Sequence, residues 1–172
     1  MRYFEVKERT DIGYVMRLTT IEPTTINHRG TGWLRSYVNP SAQESIVDYL
    51  MQNQRPMVSD NLRKILDYYE QEINDTRVYT IYKGAYEKGD HENTPDYYFI
   101  EPRSIDAVHE DSVRDHLGNL ESLILDQSKL EYARIFCVKG LKENRWFITL
   151  EIAEMLFRNH ITGFTVEEIE TR

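Results

Sequence analysis

The sequence predicts an α+β fold in one domain over residues 1–172, with a mixed or antiparallel sheet, a few helices and two similar capped-helix-plus-strand halves. Three observations lead there. Short runs rich in β-branched and aromatic residues outnumber runs with helical periodicity; the two kinds do not alternate strictly, as a doubly wound parallel sheet requires; and one arrangement of cap, helix and strand occurs twice. A chain of 172 residues hides enough surface to hold a core without disulfide or metal.

Taken in order, residues 3–6 and 13–18 read as strands, and Arg29-Gly30-Thr31-Gly32 reads as a loop before Trp33, a core residue. Ser41 and Glu44 have capping-box spacing and are followed by Ile46, Val47 and Leu50, which predicts a helix over about 42–52 that stops at Arg55-Pro56. Ser59 caps the clearest helix, in which Leu62, Ile65, Leu66, Tyr69 and Ile73 recur at helical spacing behind Asp60 in the first turn. Residues 77–82 then read as a strand. The same arrangement returns near the end: residues 146–156 lie over 56–66 without a gap, so that Ser59 meets Thr149, Leu62 meets Ile152 and Leu66 meets Leu156. A strand over 164–169, entered through Thr162-Gly163, completes the second unit, and the repeated units span about 56–83 and 146–170. Between them, residues 97–101, 120–125 and 134–138 read as strands and 84–95 as a loop.

Charge narrows the function classes. The net charge of -8 is concentrated: residues 87–115 hold nine acids against three bases, whereas residues 1–86 balance. A direct nucleic-acid binder needs a basic stripe to neutralise phosphates, so that class is excluded, and an acidic patch favours basic partners by steering. Charges interrupt the apolar residues at the start of the chain too early for a secretion signal, and no stretch reaches the roughly twenty apolar residues of a membrane span. With its one cysteine, Cys137, set in the apolar run 133–138 as a small buried hydrophobe, the chain is expected in the reducing cytoplasm, away from membranes.

No reactive centre stands out. Gly30-Thr31-Gly32 lacks the lysine and hydroxyl of a phosphate loop and the third glycine of a dinucleotide fingerprint. Asp106, His109, Asp111, Asp115 and His116 fall within eleven positions and supply metal-ligand chemistry, but an acidic loop brings such neighbours together by accident. Tyrosine is in excess: Tyr68, Tyr69, Tyr79, Tyr82, Tyr86, Tyr97 and Tyr98 lie within thirty-one residues, and such rings serve equally as interface anchors and as half-buried strand residues. Trp146, like Trp33, reads as core. The expectation is therefore a binding protein that needs no catalytic residue, cofactor or metal. A small metal-assisted hydrolase using Asp106, His109 and His116, and a self-associating scaffold module, are the alternatives.

Arg55-Pro56-Met57-Val58-Ser59, Tyr97-Tyr98-Phe99-Ile100 with Ile105-Asp106-Ala107-Val108, Leu123-Ile124-Leu125-Asp126, and the run from Ile135-Phe136 through Phe147-Ile148-Thr149 to Ile161-Thr162-Gly163-Phe164 together resemble the eleventh family of polymorphic-toxin immunity proteins. The resemblance covers about residues 40–170. It implies a bacterial protein that binds a cognate toxin domain and neutralises it by occlusion. Many such toxins are nucleases with basic clefts, so the acidic residues 87–115 are expected to face the toxin through Asp106, Glu110, Asp111 and Asp115, with Tyr97 or Tyr98 as aromatic anchors.

Overall fold

Side chains alternate across a strand, so a strand apolar on both faces must sit between two cores. Several strands of this chain have that pattern, and the architecture follows from it. The computed structural model describes residues 1–12, 15, 20–23, 34–38, 46–70, 73–82, 96–141 and 144–172, with the backbone alone for 20–23, 34–38 and 76–82. These residues form β1 (Tyr3–Glu8), β2 (Thr20–Pro23), β3 (Leu34–Val38), β4 (Tyr49–Gln52), β5 (Arg55–Ser59), α1 (Asp60–Tyr69), β6 (Asn74–Tyr82), β7 (Tyr97–Glu101), β8 (Ser104–Ile105), β9 (Val113–Arg114), β10 (Leu120–Ser122), β11 (Ile135–Val138), β12 (Trp146–Thr149), α2 (Leu150–Arg158) and β13 (Phe164–Ile169). The class is α+β, as the sequence predicts.

Two mixed sheets carry the fold. One runs β2-β3-β6-β7-β5-β4 and the other β13-β1-β12-β11-β8, while β9 and β10 form a separate ribbon. Among the strands, β3 with β6 and β8 with β11 pair parallel, and the isolated bridge between Leu125 and Thr171 is parallel as well. Both helices bridge strands in one manner. β5 and β6 each pair antiparallel with β7, so α1 joins two parallel strands that have an antiparallel strand between them. β12 and β13 each pair antiparallel with β1, so α2 does the same around a strand taken from the start of the chain. The two halves legible in the sequence are thus two split β–α–β units.

Alternation sorts the side chains into three cores. Phe4, Val6, Val58, Tyr98, Ile100, Ile135, Trp146 and Ile148 from the two sheets meet Leu62 and Leu66 of α1 and Ile152, Ala153 and Leu156 of α2 in the central one. The neighbouring positions turn the other way. Tyr3, Phe136, Val138 and Phe147 pack under Ala107, Leu123, Leu125, Leu130 and Ala133, and Met57, Tyr97 and Phe99 pack with Val47 and Leu50. Glu5 is the buried exception on β1, at 4% exposure, and its carboxylate takes a bidentate bond from Arg145. That geometry holds both charges satisfied; removing one partner alone would strand the other.

Three expectations are corrected. The predicted helix over 42–52 is not formed: residues 41–45 lie outside the described ones, and 49–52 is strand β4, paired with β5 in the register Tyr49↔Val58 to Gln52↔Arg55. Tyr49 packs into the central core and Leu50 into the third, which a single helix face could not achieve. Asn53 and Gln54, at φ of 51° and 62°, make the tight left-handed turn that suits the twist of paired strands. Second, Ser59 caps α1 by accepting from the Leu62 N–H at 3.2 Å, whereas Thr149 makes no side-chain cap and its buried Oγ1 has no partner among the described residues. Third, the strand expected over 120–125 regularises only as β10, because Leu125 turns to bridge Val108 on one side and Thr171 on the other. The expected strand over 13–18, the loop over 84–95 and Trp33 fall wholly or mostly outside the described residues.

Besides the shared core, a hydrogen-bonded junction ties the two units together. Asp48, just before β4, accepts from the Ser59 hydroxyl at 2.7 Å with one carboxylate oxygen and from the Thr162 N–H and hydroxyl, both at 2.9 Å, with the other. Gly163 follows at φ +89°, and a Cβ there would lie 2.2 Å from the Tyr49 carbonyl oxygen and 2.8 Å from the Val47 Cβ. Gly140 has a similar φ of +82° in open space. Gly163→Ala is therefore expected to cost about 3 kcal/mol or more, from backbone strain plus the clash, and Gly140→Ala about 1–2 kcal/mol from strain alone. Urea unfolding of both variants measures the difference, and equal losses would show that the approach to Tyr49 has no energetic weight.

Candidate functional site

Residues 104–122 hold five carboxylates, Asp106, Glu110, Asp111, Asp115 and Glu121, against one arginine, Arg114. So many like charges in a short segment repel one another unless the backbone is pinned. The pinning comes from both ends. At the root, Asp126 N–H donates to the Ala107 carbonyl and His109 N–H to the Ile124 carbonyl, each at 2.9 Å. The Ser112 hydroxyl donates to the Ile124 carbonyl at 3.1 Å and accepts from the Ile124 N–H at 3.0 Å. Ala107, Leu123 and Leu125 are buried in the second core, so the root is part of the packed interior. At the tip, the Asp115 carboxylate accepts from the N–H groups of Leu117 (2.8 Å) and Asn119 (2.7 Å) and from the Asn119 side-chain amide (2.7 Å). Arg114 closes the turn by donating to the Gly118 carbonyl at 3.0 Å.

The expected contact residues therefore divide. Asp106 and Glu110 are exposed and make no ion pair among the described residues. Asp111 is tied to Arg172, and its N–H donates to His109 Nδ1 at 3.2 Å. Asp115 is spent on the turn. Between these acids, Val113 and Leu117 stand 49% and 74% exposed. Sequence reasoning passed over these two. Their only signal was aliphatic residues in a polar segment that otherwise has no use for them.

Tyr97 and Tyr98 do not belong to this surface. Both lie in β7, and the alternation of that strand sends their rings into different cores, at 0% and 8% exposure. The Tyr97 hydroxyl donates to the Val47 carbonyl at 2.7 Å, and the Arg63 guanidinium lies 4.7 Å from the Tyr98 ring centre. Tyr68 of α1 is exposed, stacked edge-on against Tyr69, and Tyr132 is exposed on a left-handed turn at φ 63°. Tyr86 and the side chains of Tyr79 and Tyr82 are outside the described residues.

Asp106, His109 and His116 do not converge: among the described residues no three histidine, cysteine or acidic side chains are placed to hold a metal ion. The half-buried Cys137 thiol on β11 is pushed up to about 12, chiefly by burial and then by the Glu101 carboxylate, so it stays protonated at neutral pH. No helix among the described residues is long and apolar enough to cross a membrane. No protein-family model matches this chain, and no curated protein sequence matches it.

Asp115→Ala removes three acceptor bonds at the tip and none at the root. Hydrogen exchange at Leu117 and Asn119 is expected to speed up sharply while the global unfolding midpoint falls by no more than about 1 kcal/mol equivalent; loss of the whole fold would show that the ribbon is not a separable unit. Because the Cys137 thiol is raised, iodoacetamide should modify it on the order of a thousandfold more slowly than free cysteine at pH 8, with the rate climbing as the pH rises and on unfolding in urea. A fast reaction in the folded protein would contradict that protonation state.

Proposed function

We propose that this chain is an immunity-type protein that binds a cognate bacterial toxin domain and neutralises it by covering its active face, with the ribbon of β9 and β10 as the contact surface. The observation that carries the reading is the exposure of Val113 and Leu117 inside the most acidic described segment. Two aliphatic side chains stand in water among the carboxylates of one short segment, which solubility alone does not call for. A protein interface has that anatomy, an apolar centre with a charged rim.

Further support comes from rigidity and charge. The ribbon is hydrogen-bonded at root and tip, so little ordering remains to be done on binding. Asp106 and Glu110 have no ion-pair partner among the described residues to give up, and they would complement the basic cleft of a nuclease-type toxin. The resemblance of Arg55 to Ser59, Tyr97 to Ile100 and Ile135 to Phe164 to the eleventh immunity family agrees with a reading in which the chain works by stoichiometric occlusion in the cytoplasm, with no catalytic residue of its own.

The test uses the toxin domain that this reading expects to be encoded beside this chain. Co-expression should restore growth that the toxin domain alone abolishes. Val113→Asp with Leu117→Asp should remove protection while leaving the thermal midpoint within a degree or two, since both side chains are exposed. Asp106→Lys with Glu110→Lys should slow association about tenfold at low salt and flatten its salt dependence. Full protection by both double variants would reject the ribbon as the contact, and turnover of a small molecule abolished by one polar substitution would reject occlusion itself.

A further inference from the structure

The chain is acidic, yet a cleft of about 860 Å³ between the end of β7 and the end of β11 carries the opposite sign. Its walls include Asn74, Glu101, Arg103, Lys139, Asn144 and Trp146. Glu101 is already neutralised by Arg55, whose guanidinium lies 2.7 Å away. Arg103 and Lys139 make no ion pair among the described residues. Their placement is not a matter of flexible loops: the parallel pairing of β8 with β11 sets Cys137 opposite Ser104, with Cys137 N–H donating to the Arg103 carbonyl and Lys139 N–H to the Ile105 carbonyl, both at 2.9 Å. The two cations are thus mounted on one short ladder.

The floor of the cleft holds a second irregularity. Trp146 sits opposite Cys137 in the β11–β12 pairing, 2% exposed, and its indole N–H has no acceptor among the described residues. A buried donor left unmatched beside a polar cleft is uncommon, because buried N–H groups almost always find a partner. Two unpaired cations and the Asn74 and Asn144 amides make a wall rich in donors, and the unmatched Trp146 N–H lies buried behind it. The one carboxylate among its described residues, Glu101, is engaged by Arg55.

We propose that this cleft binds a small organic molecule carrying several anionic oxygens, a polycarboxylate or an organic phosphate. Arg103 offers a planar fork for two oxygens and Lys139 a point charge for a third, and the volume lies within the range of small-molecule sites. The site is independent of the ribbon, and neither proposal requires the other.

The test is a titration of the full chain, isotope-labelled and carrying Trp33→Phe so that one indole N–H signal remains, with citrate, with inorganic phosphate and with glucose as the neutral control. Citrate or phosphate should shift the Trp146 signal saturably and glucose should not; whichever anion binds more tightly identifies carboxylate or phosphate as the preferred group. Arg103→Gln and Lys139→Gln should each weaken binding about tenfold, and the pair should abolish it, with the thermal midpoint unchanged because both side chains are exposed. No saturable shift with either anion at millimolar concentration overturns the proposal. An equal shift in the double variant, or the same shift from matched sodium chloride, also overturns it.

Discussion

The arrangement depends on one carboxylate. Asp48 receives the Ser59 hydroxyl, which itself caps α1, and the N–H and hydroxyl of Thr162, which open the way into β13. The Asp48 N–H donates back to the Thr162 hydroxyl at 3.2 Å, and the Tyr49 N–H donates to the Thr162 carbonyl at 3.1 Å. Residues 114 positions apart are thereby held in register. Charge-assisted bonds of this kind are roughly twice as strong as neutral ones, and here they act where a side chain on Gly163 would have kept the two units apart. The central core, built from both sheets and both helices, can close only because this junction lets β4 approach the turn after α2.

A second constraint is the strand β1. It lies between β12 and β13 and gives the second split unit its middle strand, a place that β7 fills in the first. Glu5 is buried on that strand and meets Arg145 at the start of β12, so the first residues of the chain are fastened to the last third by pairing and by charge together. With β1 in place, the opposite face of the sheet is free to take the segment 105–133, which forms the second core and then continues outward as the ribbon. The ribbon is rigid at its base because Leu125 and Ala107 are wholly buried, and it is open at its tip because nothing among the described residues covers Leu117.

Charge is likewise distributed by topology. The excess of acid is visible in composition, but which carboxylates remain available is decided by neighbours distant in sequence: Arg55 takes Glu101, Arg172 takes Asp111, and the turn takes Asp115. Among the described residues, Asp106, Glu110 and Glu121 on and beside the ribbon and Arg103 and Lys139 in the cleft make no ion pair. Neither set could have been selected by counting charges along the chain.

The α+β class, both helices, the Ser59 cap of α1, the strands β1, β6, β7, β11 and β13 and the duplication of a helix between strands were legible in the residues, because caps and periodicity act within a few positions of each other. The burial of Trp146 was legible for the same reason. The residues 46–52 misled because their apolar spacing suits a helix locally, while pairing with β5 and burial in two cores outweighed that preference. Tyr97 and Tyr98 misled in the same way: a tyrosine pair says nothing of which faces are covered, and β7 is covered on both. The sequence by itself determined the local elements and the acidic character of residues 87–115. Only the tertiary structure decided which rings are core, which carboxylates are free and that Val113 and Leu117 meet solvent, since exposure is set by what packs against a residue and not by the residue itself.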